Sequence, residues 1–204
     1  MSTLIAMTAI VAVSAVMVWW IILTQRRLVQ LEDNITNNMS QIGAQLSGRF
    51  EALECLIESV NAYADKECGN LLDSIRARRC VITALSTPDE VQRQEGIFAE
   101  VLDQIAELAK RRLEIAKDPM FQKALGAVQS FEGMMRTSRL LFNDSVAKLN
   151  REVRRFPNAV IAGLLGFHKR EYLTTDTVSG ELEALPQSAP RKEAGRLHNK
   201  LLQG

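Results

Sequence analysis

Histidine is scarce in this 204-residue chain, which carries only His168 and His198. Both fall outside the periodic stretches described below, so no helix presents the Glu-x-x-His pattern that a carboxylate-bridged metal centre in a bundle needs. Neither is spaced to serve a Ser or Cys nucleophile. Cysteine is limited to three residues, Cys55, Cys68 and Cys80. An odd, scattered set without a CxxC pair excludes a disulfide framework and fits a reducing compartment. Net charge is close to nil: 25 Lys and Arg stand against 24 Asp and Glu. The basic pairs Arg78-Arg79, Arg111-Arg112 and Arg154-Arg155 have no interleaved aromatics, and the last two sit where helix C-termini favour cations. That balance speaks against nucleic-acid binding. Aromatics are only 5% of the chain, with five prolines and eleven glycines, a composition helical in character.

What is present is apolar periodicity. Residues 4–23, with Leu4 and Leu23 as their ends, read LIAMTAIVAVSAVMVWWIIL and carry no charge. About twenty such residues suffice to cross a bilayer as a helix. The run lacks a basic residue before it and a small-residue cleavage site after it, so an uncleaved anchor is expected rather than a signal peptide. Arg26 and Arg27 follow it and nothing basic precedes it, which predicts an N-terminus outside and the rest in the cytoplasm, a single-pass arrangement. Trp19 and Trp20 stand at headgroup level.

Beyond the anchor (residues 1–24) we expect a helical domain over 25–173. Leu28, Leu31, Ile35, Met39, Ile42 and Leu46 mark a first stripe, with Ser47-Gly48 as its predicted break. Phe50, Leu53, Ile57, Val60, Ala64, Leu71, Ile75 and Ile82 mark a second helix ending near Leu85-Ser86. Thr87-Pro88-Asp89-Glu90 combines an N-cap, a first-turn proline and a capping box, and it starts a third helix through Phe98, Leu102 and Ile105. Asp118-Pro119 repeats the cap and opens the longest seam, Phe121, Leu125, Val128, Met135, Phe142, Val146, Leu149, Val153 and Phe156. The expected fold is all-α: a transmembrane helix, then a long antiparallel up-and-down four-helix bundle with coiled-coil-like seams and a short C-terminal helix. Phe156, Pro157, Gly166 and Phe167 bound a membrane-proximal segment whose apolar run is read either as a cap on the core or as a surface contact with the membrane. The lengths conflict, because a first helix of roughly 35 Å cannot match a second of roughly 50 Å. A bend near residues 24–27, a break near Gly69, or a continuous helix through Ser47-Gly48 would resolve it. The continuous helix would leave the first stripe in need of a partner chain. Residues 174–204 are polar and aperiodic and are expected to be a disordered tail, with a transient helix near 192–202.

Charges interrupt the seams at Glu67, Glu132 and Arg139. Counting along parallel helices two and four puts them at one mid-bundle level, so Arg139 is expected to pair with Glu67, Glu132 or both, with Tyr63 and Asn143 alongside. Buried charges persist only when paired and hydrogen-bonded. A structural polar network is the favoured reading, ahead of a binding site or a catalytic pair, since general acid-base work would need a pocket that nothing announces. No catalytic, cofactor-binding or metal residue is assigned, and no cofactor is called for.

Along much of its length the chain resembles the LemA family of bacterial membrane-anchored proteins. The carriers are Gln41-Ile42, Gln45-Leu46 and Arg49, then Leu56-Ile57-Glu58 with Val60, Tyr63 and Glu67. Phe121, Glu132, Arg139, Phe142-Asn143 and Asn150 follow, then Phe156-Pro157, Ala162 and Leu165-Gly166-Phe167. Where the family has Ile-Pro-Asn this chain has Leu53-Glu54-Cys55, and the family's Tyr-Pro before the last helix is replaced by the nearby Asp118-Pro119. The resemblance implies an N-out anchor and a cytoplasmic bundle, and it implies no reaction. Related members belong to magnetosome organelles. Two functions follow as expectations: a non-enzymatic tethered scaffold or adaptor for another protein, or a membrane organiser acting by self-association, as a homo-oligomer, and by surface contact.

Overall fold

The computed structural model describes residues 1–61, 63 and 65–174, and the side chains of all of these except residues 65–69 and 113. The predicted tail from residue 175 onward, with its transient helix, lies outside the described residues, as does the side chain of Glu67.

Among the described residues the regular structure is helical throughout, with α1 Ser2–Asn61, α2 Asp65–Arg78, α3 Pro88–Arg111, α4 Leu113–Lys117, α5 Pro119–Arg154 and α6 Asn158–Leu165. The predicted break at Ser47-Gly48 is absent. α1 is one helix of 60 residues that carries the apolar span straight into the bundle. Glycine inside a helix costs about 1 kcal/mol relative to alanine. Here its flatness has a use, because a Cβ on Gly48 would come within 2.5 Å of the Phe131 ring. Leu46, Arg49, Phe50 and Leu53 are buried on either side of it, and that burial outweighs the propensity cost. The departure Leu53-Glu54-Cys55 is consistent, since no proline interrupts the helix there.

Continuity also removes the length conflict. Beyond residue 24, α1 extends about 55 Å, and the 36 residues of α5 extend about 54 Å. The two run antiparallel in a register readable from four contacts. Tyr63 bonds Asp118, Phe131 sits over Gly48, Asn38 reaches Leu141 and Ser145, and Arg27 pairs with Glu152. The stripe Leu28, Ile35, Met39, Ile42 and Leu46 is buried within this same chain, so it does not await a partner.

The second predicted helix is correspondingly shorter. The chain reverses between Asn61 and Asp65, and α2 stops at Arg78 rather than near Leu85. Gln94 of α3 satisfies the departing backbone: its Oε1 accepts from the Cys80 amide at 2.9 Å and its Nε2 donates to the Arg78 carbonyl at 3.3 Å. The irregular segment 79–87 then runs so close to α1 that a Cβ on Gly43 would lie 2.2 Å from the Ile82 carbonyl oxygen. Thr87 caps α3 as expected, with both arms of the capping box formed at 3.0 and 3.3 Å. The bond from the Thr87 backbone amide is the main reason the Glu90 carboxyl is held below its ordinary value. Asp118 caps α5 by accepting from the Met120 amide at 2.6 Å. α1 and α3 rise away from the span while α2 and α5 descend toward it, giving the up-and-down bundle. α6 folds back under α1 and α5 at the span end.

Candidate functional site

The seam charges form two ion pairs, and each reaches a partner on another helix. Arg49 of α1 is fully buried and contacts Glu132 of α5 at 2.5 Å. Its guanidinium also lies over the Phe98 ring of α3, with Cζ 3.8 Å from the centroid, a cation–π geometry. Phe98 in turn meets Phe50 edge-on at 5.9 Å. Arg139 of α5 pairs with Glu95 of α3, both buried. The backbones of α3 and α5 make little close approach, so these long side chains span the space between them. A polar layer thus ties α1, α3 and α5 at mid-bundle. Glu132 and Arg139 belong to that layer as expected, but their ion pairs are with Arg49 and Glu95, and the expected pairing with Glu67 falls on a side chain outside the described set.

Asn143 and Tyr63 are placed elsewhere, which corrects the expectation that they accompany Arg139. Asn143 donates Nδ2 to the Leu173 carbonyl at 2.9 Å and accepts the Leu173 amide on Oδ1 at 2.9 Å. Asn150 does the same with Arg170, again at 2.9 Å in both directions. Two helical turns separate the asparagines by about 10.5 Å. Three residues of extended chain cover about 10 Å, so the segment after α6 is matched to the clamps as a strap lying antiparallel on α5. Within the strap the Leu173 side chain is buried against the core, and Arg170 pairs with Glu32 of α1. Tyr63 stands at the far end, donating its hydroxyl to Asp118 at 2.9 Å. That bond is the main reason the Asp118 carboxyl is held below its ordinary value and the Tyr63 hydroxyl above its own.

At the span end, Glu152 is buried and joins three elements. Its carboxylate takes Arg27 of α1 at 3.0 Å and the Asn158 amide of α6 at 2.7 Å. Of the four residues expected to bound this segment, Phe156 is 80% exposed, Pro157 is exposed, Phe167 is partly buried against the core and Gly166 ends α6 with a φ of +80°. A side chain larger than glycine would be strained there. Ile161 and Ala162 are buried, so α6 does cap the core, while Val160 and Leu164 on its other side stay exposed.

A shallow cavity of about 350 Å³ opens between Met39 of α1, Ala84–Pro88, Phe142 and the strap at Arg170. The Arg170–Glu32 pair lies at its edge. Among the described residues no three His, Cys, Asp or Glu side chains converge as a metal site would require. The described arrangement holds helices together and presents surfaces.

Arg49, Glu95, Asn150 and Glu152 carry this architecture without having been singled out as site residues by periodicity. Arg49 was legible in principle: 42, 46, 49, 53 and 56 form one uninterrupted seam once no break is placed at Gly48. Glu95 likewise lies on the seam of 91, 98, 102 and 105. Compared with known protein families, the chain matches the model of the LemA family over residues 38–185. The match takes in both ion pairs and both asparagine clamps and begins beyond the apolar span. No curated protein matches the chain. The chain belongs to the LemA family.

Proposed function

We propose that this LemA-family chain is a membrane-anchored, single-pass, non-enzymatic module of a bacterial cell membrane, whose bundle serves as a docking scaffold or adaptor for another protein. The N-terminus faces outward and the bundle lies in the cytoplasm. The observation that carries this reading is the unbroken α1. Its apolar part is bare on nearly every side, and the same helix packs against α2, α3, α5 and α6. A domain built on its own anchor is held at the membrane in a set orientation, as a tethered docking platform requires. The exposed apolar residues Met134 and Leu141, two turns apart on the outer side of α5, supply a patch for a protein partner.

Proximity labelling in the native cell tests this. The full chain is compared with one lacking residues 174–204 and with Met134→Asp/Leu141→Asp. Loss of a discrete set of labelled proteins in either variant supports the adaptor. Labelling identical in all three forms removes it. The second reading, a membrane organiser, draws on exposed Phe156, Val160 and Leu164 next to the span. Its self-association arm is weakened because α5 covers the α1 stripe. Purely monomeric full-length chain in detergent and in vesicles would dispose of that arm.

A further inference from the structure

The folded domain overlaps the apolar span in depth. Trp20, Thr24 and Leu28 follow one another at single-turn intervals along one face of α1. Trp20 is partly covered and Thr24 and Leu28 are buried, whereas the neighbouring Trp19 is 66% exposed. α6 packs against α1 here, and Glu152 fixes the level by holding both Arg27 and Asn158. Arg27 lies about 6 Å beyond Leu23 along the helix. A headgroup layer is roughly 5–8 Å deep on each side of the hydrocarbon. Any bilayer that receives residues 4–23 therefore also reaches α6.

The outward side of α6 suits that medium. Val160 is 56% exposed, Leu164 81% and Phe156, at the corner before it, 80%. An exposed cation, Arg155, stands at the corner just before the helix. We infer that α6 is an interfacial foot: Phe156, Val160 and Leu164 enter the boundary of the bilayer that holds residues 4–23, with Arg155 against anionic headgroups. Amphipathic helices seat at this depth with apolar residues inward and cations at the phosphates. Lipid is the occupant because contacts inside the chain set the depth, so the bilayer meets this surface before another protein can. The foot and the span together then stop the bundle from swivelling about α1. This inference rests on residues 4–23 being an anchor and not on the adaptor reading.

Spin labels on the full chain, with Cys55, Cys68 and Cys80 changed to Ser, test it. Labels are placed one at a time through Leu164→Cys, Leu23→Cys and Met134→Cys. The protein is reconstituted into phosphatidylcholine vesicles, with and without phosphatidylglycerol. The label at position 164 should show a several-fold higher ratio of oxygen to nickel-chelate accessibility than that at 134, approaching the value at 23. Phosphatidylglycerol should raise the ratio at 164 further. Position 164 matching 134 while 23 stays lipid-exposed would overturn the foot but leave the anchor. An aqueous signal at 23 would overturn both. Dipolar broadening at 164 would show a second copy there and overturn lipid as the occupant, and equal ratios in both vesicles would overturn the headgroup role of Arg155.

Discussion

α5 carries two pairs of polar residues, and they do different work. Glu132 and Arg139 reach the side chains of α1 and α3, while Asn143 and Asn150 grip the backbone of the strap. Within each pair the members stand two turns apart. A charge with a long stem bridges helices whose backbones stay apart, and its loss strands a buried partner. A short amide instead reads the N–H and C=O of one extended residue, and its loss releases a local segment to water. The polar layer therefore bears on whether the bundle holds, and the clamps bear on how its edge is dressed.

The largest effect should come from Arg49→Met. It removes a fully buried guanidinium from Glu132 and from the Phe98 ring, and breaking a buried pair costs about 3–5 kcal/mol. Chemical denaturation of the full chain should show a loss of that size, and an unchanged midpoint would mean the layer holds nothing. Arg139→Met should come next, at about 3 kcal/mol, because Glu95 stays buried without its pair. Adding Glu95→Leu should recover most of that loss, since apolar replacement of both partners is often neutral; a double variant as unstable as the single would contradict the pairing. Asn150→Ala should cost only about 1–2 kcal/mol, for two hydrogen bonds at a partly wet edge. Hydrogen exchange should speed at the Arg170 amide while α1 and α5 keep their protection. Global acceleration would erase the distinction between layer and clamp.

The smallest effect is a pH dependence at the far end. Tyr63 holds the Asp118 carboxyl below its ordinary 3.8, so its contribution is complete above that pH and fades as pH falls through the lowered folded value. The Tyr63 hydroxyl is raised above 10.0, so its contribution is complete below that pH and is lost as pH rises through the raised value. Tyr63→Phe should flatten both limbs of the stability profile, and a profile identical to that of the parent would show that the bond does not couple to folding.

Much of the bundle was legible because periodicity reports burial directly. The seam of α5 and both caps could be read from spacing and cap chemistry alone. Phe156, at the end of the seam, could not, since it turns outward at the corner. The false break at Gly48 has a single cause: glycine reads locally as a helix terminator, and the residue that explains it, Phe131, is far away in sequence. That one misplacement hid Arg49, shortened the first helix and created the length conflict. Asn143 was placed beside Arg139 because helix counting gives level but not direction, and the strap it serves has no periodic signal at all. Glu152 was invisible for the same reason, since its partners Arg27 and Asn158 meet only after the chain folds back.

The central claim is that one rigid helix runs from the apolar span to the top of the bundle. Pulsed dipolar spectroscopy on the full chain in lipid nanodiscs addresses it directly, with labels on native Cys55 and on Leu23→Cys and with Cys68 and Cys80 changed to Ser. A continuous α1 predicts a narrow distance distribution near 48 Å for the separation along the helix. A distribution centred on the order of 25 Å, as a chain turning back at Ser47-Gly48 would give, contradicts it.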